Sequence, residues 1–322
     1  MALLSRLATT LYVFGRELES VEHLARLTRV HAELSLDRSM PRDRRTWPAF
    51  MELCGASAPR QVSRDEALRL VLSGPDGPSV RRSVEAARRA AQSVRPSLST
   101  EVYEQVNALY WRALEEGWEG GLYERLHEVE LAAQLVAGLV EDTMPHDEAW
   151  DFLHLGRFLA RAGNVTRVVV RKSRELAAVG EDAVAWSSVL RCLNSFEAYR
   201  LGVIAEVRRE EVIGFLLFDR ASPRSAGFCV AEALASVERV DPGPVSGRSQ
   251  RALGRLAARF AYADPAEVAR APGRFGTEFD RLQVDVARAL RESYFQPLEV
   301  AGDGRGAGFS GQPQQQQQQP RQ

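Results

Sequence analysis

Hydrophobic positions recur along this chain at steps of three and four. Leu4, Leu7, Leu11, Phe14, Leu18, Val21, Ala25 and Thr28 form one stripe, and Phe152, Leu155, Leu159, Ala162, Thr166 and Val169 form another. That period matches the turn of an α-helix, so each stripe predicts a long helix with an apolar face. Similar spacing predicts helices over 79–94, 101–116, 122–142, 182–200, 228–240, 248–262 and 275–294. Residues 212–218, "VIGFLLF", run apolar without a break, as a buried strand would, but no nearby segment offers a strand to pair with. The expected fold class is all-α.

The two stripes also share a skeleton. "YVFGRELESVEHLARL" (12–27) is answered by "LHLGRFLARAGNVTRV" (153–168): Gly15-Arg16 by Gly156-Arg157, Leu18 by Leu159, Arg26 by Arg167. Trp47 is answered by Trp186, and Ser79 in "LVLSGPDGPSVRRSV" by Ser225 in "FLLFDRASPRSAGFCV". These correspondences keep their order, which predicts a helical bundle of two pseudo-twofold-related repeats. The halves fall near 1–120 and 145–295, within a domain spanning 1–296. From 297 to 322 the chain turns to glycine and glutamine, which bury little, so a disordered tail is expected.

The polar positions on the first stripe's helix are unusual. Arg16, Glu19, His23 and Arg26 fall within roughly 80° of arc on a helical wheel. Leu27, Val30 and Leu34 continue that same side beyond them, and Tyr12 precedes them. The second copy places Arg157, Arg161, Asn164 and Arg167 on the equivalent side. A polar patch bracketed by apolar residues predicts a helix buried on both sides, with its polar groups meeting inside the bundle. Buried arginine must be paired. The first copy has Glu19 where the second has Ala160, and the second has Arg161 where the first has Ser20. Each copy therefore keeps half of a Glu-Arg pair. The stripe is either an internal ion network across the pseudo-twofold or a pocket for an anionic ligand.

Composition narrows the field. Hydrophobic residues make up 45% and charged residues 26%, as in ordinary globular proteins. The net charge of −1 gives no field that would favour nucleic acid or an anionic membrane. The first hundred residues lean basic and the next hundred acidic, which points to internal pairing. Lys172 is the only lysine and follows Val-Val-Val-Arg, so the chain has no phosphate-gripping loop of the G-x-x-x-x-G-K type. Cys54, Cys192 and Cys229 are scattered, which suggests a reducing compartment and no structural zinc. No apolar run is long enough to span a bilayer, and the opening makes a poor signal peptide, so a cytoplasmic location is expected.

The residues then match a known pattern. The chain resembles the alpha-E family, an all-helical bacterial domain of unknown function with a Glu-Arg motif. The family's opening reads like "LYWLGRYLERAENTARLL", and this chain has "LYVFGRELESVEHLARLT". Its central signature is similar to Thr143-Met144, Asp147-Glu148, Trp150, Phe152 and Leu155-Gly156-Arg157 here, and "WSSVLRCLNSFEAYR" (186–200) and "RESYF" (291–295) fit as well. Ser20 and Ala160 depart from the motif. The resemblance implies company: circularly permuted ATP-grasp-type amide ligases and transglutaminase-like proteins. It implies an accessory or scaffold role in peptide or amide-bond metabolism. The alternative is a ligand-binding protein or enzyme whose Arg/Glu-lined pocket takes a carboxylate- or phosphate-bearing substrate.

Other candidate chemistry is weaker. Asp147, Asp151 and His154 share a helix face and could be part of a metal site, but acids after Pro145 also suit a helix N-terminus. "GPDGPS" (74–79) reads as a turn opening a helix. His23 and His31 read as packed or solvated. No Ser-His-Asp or Cys-His arrangement is recognisable, and no metal or cofactor is expected.

Overall fold

Two long helices form the axis of the protein: α1 (Ser5–Leu34) and α7 (Glu148–Val179), the elements predicted by the two apolar stripes. The computed structural model describes residues 5–36, 46–57, 61–114, 118, 121–179, 183–202, 206–243 and 245–295. The glycine- and glutamine-rich tail lies outside them. Between the long helices come α2 (Thr46–Leu53), α3 (Arg64–Ser73), α4 (Val80–Ser93), α5 (Thr100–Leu114) and α6 (Leu122–Thr143). After α7 follow α8 (Ala183–Cys192), α9 (Phe196–Gly202), α10 (Arg209–Phe218) and α11 (Ala226–Val240). The last elements are α12 (Arg248–Ala261), α13 (Pro265–Arg270) and α14 (Pro272–Tyr294).

The described residues contain helices and no strand, so the protein is all-α. The strand-like run at 212–218 lies in α10, where Val212, Ile213, Leu216 and Leu217 are fully buried. Its unbroken apolarity reflects burial, and burial alone does not separate a strand from a helix. The segment expected as one helix over 182–200 divides into α8 and α9. Asn194 sits between them at a φ of 54°, a left-handed conformation that asparagine tolerates better than most residues.

Packing around the two long helices follows one order twice. α1 packs against α4 and α6, with α5 bridging those two; α7 packs against α11 and α14, with α12 bridging them. α2 crosses to α7, and α8 crosses to α1. This recurrence, with the ordered sequence correspondences, supports the proposal of an internal duplication.

At their crossing α1 and α7 meet backbone to backbone. A Cβ on Gly15 would lie 2.0 Å from the carbonyl oxygen of Leu153, and a Cβ on Gly156 would lie 2.0 Å from that of Tyr12. Tyr12 and Leu153 each precede the glycine of their own helix by about one turn, so the contact is reciprocal. Only glycine allows such an approach at both positions. Ser79 and Ser225 also share one role. Both are fully buried, both cap a helix by accepting from its third backbone N–H, and both donate to a carbonyl of the preceding turn (Gly74 and Asp219). Trp47 and Trp186 stand in α2 and α8, and Trp186 is fully buried.

Candidate functional site

Beyond Gly15 the α1 helix sinks into the bundle, and every side chain from Val21 to Thr28 is buried. The polar positions on this stretch therefore meet protein. The Glu19 carboxylate accepts two bonds from Arg161 of α7, Nε to Oε1 at 2.9 Å and Nη2 to Oε2 at 2.5 Å. Arg157, one turn earlier, brings its Nε to 3.8 Å from Glu19 and its Nη1 to 3.2 Å from Glu141. Arg161 also donates to the carbonyl of Pro223 at 3.2 Å. Burial works against the Arg161 charge, but Glu19 more than offsets it and holds the guanidinium pKa above its ordinary value. A forked, two-bond pair is the strong form of this interaction.

The network continues along α1. Glu22 receives Arg26 at 3.4 Å, Arg224 at 2.5 Å and the Gln134 amide at 2.9 Å. Burial alone would raise the Glu22 pKa, but Arg224 and Arg161 pull it well below the usual carboxylate value. Glu130 of α6 receives Arg26 at 3.1 Å and Arg29 at 2.7 Å. Three buried carboxylates thus tie together α1, α6, α7 and the turn before α11.

His23 lies among these charges with no hydrogen-bond partner for Nε2 among the described residues. Burial, and after it the Arg167 charge, push its pKa down to about 3, so it is neutral at physiological pH. The remaining space beside Glu19, His23, Arg26 and Arg161 is about 10 Å³, at or below what one water needs.

The structure therefore brings Glu19, His23, Arg26 and Arg161 together, with Arg157 at the margin. Of the other residues singled out in the sequence, Arg16 and Arg167 lie outside that space, and Asn164 lines both it and a second one. Arg16 is exposed and pairs with its neighbour Glu17 at 2.6 Å. Arg167 donates to the Asn164 side chain at 2.9 Å. These three line a second opening on the other side of the crossing, a cleft of about 210 Å³. Ser20 and Ala160, the two departures from the Glu-Arg motif, line the same cleft.

Sequence reasoning did not identify Glu22, Arg29, Glu130, Gln134 or Arg224. Glu130 left a signal, a carboxylate interrupting the buried face formed by Leu126, Val129 and Ala133. Arg224 left none, because it reaches Glu22 across 202 positions.

The other candidates have structural roles. Asp147 accepts from the backbone N–H groups of Ala149 and Trp150 at 3.0 and 3.3 Å, satisfying the first turn of α7. Asp151 pairs with Arg239 at 2.7 Å, and His154 Nε2 lies 3.1 Å from Glu141. Among the described residues no group of three or more His, Cys, Asp or Glu could hold a metal ion. His31 stacks on Phe50 and makes a T-shaped contact with Trp47, and burial drives its pKa to about 3. Cys54, Cys192 and Cys229 are buried, and burial raises the pKa of each, to about 11 for Cys192 and about 12 for Cys229. As protonated thiols they are poor nucleophiles.

These features define an all-helical domain whose two central helices are joined by glycine contacts and a buried Glu-Arg pair. Residues 3–295 match the Alpha-E family, described as a predicted alpha-helical domain with a conserved ER motif, and the chain belongs to that family. No curated protein and no solved structure matches it significantly. No helix among the described residues is long and apolar enough to cross a membrane.

Proposed function

We propose that this chain is an accessory, scaffold-like helical protein of the bacterial cytoplasm that works beside an ATP-grasp-type amide ligase in peptide or amide-bond metabolism. A transglutaminase-like protein is a second candidate partner. The observation that carries the structural half of this reading is the closure of the ion network. Glu19, Glu22 and Glu130 are each committed to arginines, and His23 is held neutral among them. Groups so fixed hold a helix crossing in place; proton transfer would need a carboxylate or imidazole free to change its charge near neutral pH. The choice of partner rests on the resemblance set out above.

The test is recovery of the full chain from its native host at native abundance, with bound proteins identified by mass spectrometry. An ATP-grasp-type protein should be retained, and adding the chain should raise that protein's amide-forming rate. Recovery of the chain alone, with no effect on the ligase, refutes the proposal.

A further inference from the structure

The two sides of the α1–α7 crossing are built from positions that answer each other, but they are filled differently. On the closed side, Glu19 and Glu22 of α1 hold Arg161 and Arg26. The positions that answer them on α7 are Ala160 and Gly163, and both line the open cleft. Gln134 reaches Glu22 from α6. From α14, Gln283 lies over Gly163, its Nε2 3.0 Å from where a Cβ would stand.

The two answering carboxylates are missing from this second side, where Asp280 of α14 acts on Arg167 from outside the cleft's lining, but the cations are kept. Arg16 answers Arg157, and Arg167 answers Arg26. The described lining of the cleft contains these two arginines and no acid. Arg16 is half-exposed, and among the described residues its ion-pair partner is the neighbouring Glu17. Arg167 has no carboxylate within salt-bridge distance among the described residues; its bond runs to the neutral Asn164 side chain. Arg167 is held in place, since its guanidinium lies against Gly55 at the end of α2, 3.4 Å from that residue's Cβ position. The cleft holds about 210 Å³, on the order of seven waters, and Leu159, Val286 and Ala287 give it an apolar wall.

We propose that this cleft binds a small carboxylate with a short apolar stem, the ligand's carboxylate taking the place that Glu19 and Glu22 fill on the closed side. Arg167 supplies a planar fork suited to a carboxylate, and Arg16 turns from Glu17 to add a second charge. The amides of Asn164 and Gln283 and the hydroxyl of Ser20 serve a polar group beside the carboxylate, and the stem lies along Leu159 and Val286.

The test is calorimetric titration of the full chain with N-acetyl-alanine, its neutral amide and inorganic phosphate. The carboxylate should bind saturably; the amide, which lacks the charge, and phosphate, which lacks the apolar stem, should each bind at least about tenfold more weakly. Arg167→Gln removes the fork, and Ala160→Glu places a tethered carboxylate in the cleft; each should weaken N-acetyl-alanine at least about tenfold. Circular dichroism monitors folding. If Arg167→Gln does not fold, Ala160→Glu, whose side chain enters open space, carries the comparison. The proposal is overturned if the parent shows no saturable carboxylate binding, if phosphate or the amide binds equally well, or if Ala160→Glu binds as the parent does.

Discussion

Glu19→Ala leaves Arg161 without its carboxylate. Arg161 is 4% exposed, and its remaining bond runs to the Pro223 carbonyl. Arg157 loses less, because Glu141 stays at 3.2 Å. One buried charge then loses its hydrogen-bonded carboxylate and keeps only the more distant Glu22, which costs up to roughly 3–5 kcal/mol; an exposed pair would cost at most about 1 kcal/mol. In a domain of this size that corresponds to a fall in Tm on the order of 10 °C. Arg161→Ala should cost less than Glu19→Ala, since Glu19 keeps Arg157 nearby. The double variant should cost well below the sum of the singles, with a coupling of about 2 kcal/mol or more. Replacing the pair together, as Glu19→Leu with Arg161→Met, should bring stability to within about 1 kcal/mol of the parent, because well-packed apolar side chains can stand in for a buried ion pair. Urea is the right denaturant, since it leaves charges unscreened, and repeating the melts at high salt should change little for a buried pair. Singles that melt like the parent, or costs that simply add, would refute the claim that this pair locks the crossing.

Gly15→Ala should destabilise by about 3 kcal/mol in the same melts, because its Cβ meets a backbone carbonyl that cannot move without separating two helices. Gly138→Ala in α6, where a Cβ meets nothing within 4 Å, should be neutral or stabilising by up to about 1 kcal/mol; equal effects at the two sites would refute the close crossing. Ser79→Ala and Ser225→Ala should each cost about 1 kcal/mol or more by denaturant melt, and a loss at only one of them would contradict their matched roles. Stability should decline as pH falls from about 6.5, because His23 and His31 take up protons in the unfolded chain at their ordinary values but in the folded protein only near pH 3. Glu22, held below its ordinary 4.5 in the folded state, adds to the decline from about pH 4.5 downward. His23→Asn should flatten the upper part of this limb, and a pH-independent melt between 7 and 5 would refute the burial of both histidines.

The long helices were legible because their apolar stripes run for many turns, and the Glu19–Arg161 approach was one of two readings the sequence left open, because each of two similar segments keeps half of a Glu-Arg pair. The remainder was hidden for physical reasons. α2 and α3 are too short to show a period, though Ser63 capping the Glu66 N–H left a start signal for α3. The carboxylate of Glu22 is satisfied by Arg26, Gln134 and Arg224, groups from three separate places in the chain that only the fold brings together. Arg16 reads like its counterpart Arg157 in the sequence, yet one is half-exposed and the other is drawn toward Glu19 and Glu141. Periodicity assigns a side of the helix, but the neighbouring helix decides what covers it.

The glycine contacts at the crossing have an evolutionary consequence. Because main chain rests on main chain at Gly15 and Gly156, the closest approach of the two helices is set there, and the side chains on the flanks stabilise the crossing without setting its distance. Those flanks can diverge under different selection while the frame stays fixed. One flank is filled with its own ions; the other keeps an open cleft. A single molecule can thus divide its labour across one joint, and mutations that tune the open flank should carry little penalty for the closed one.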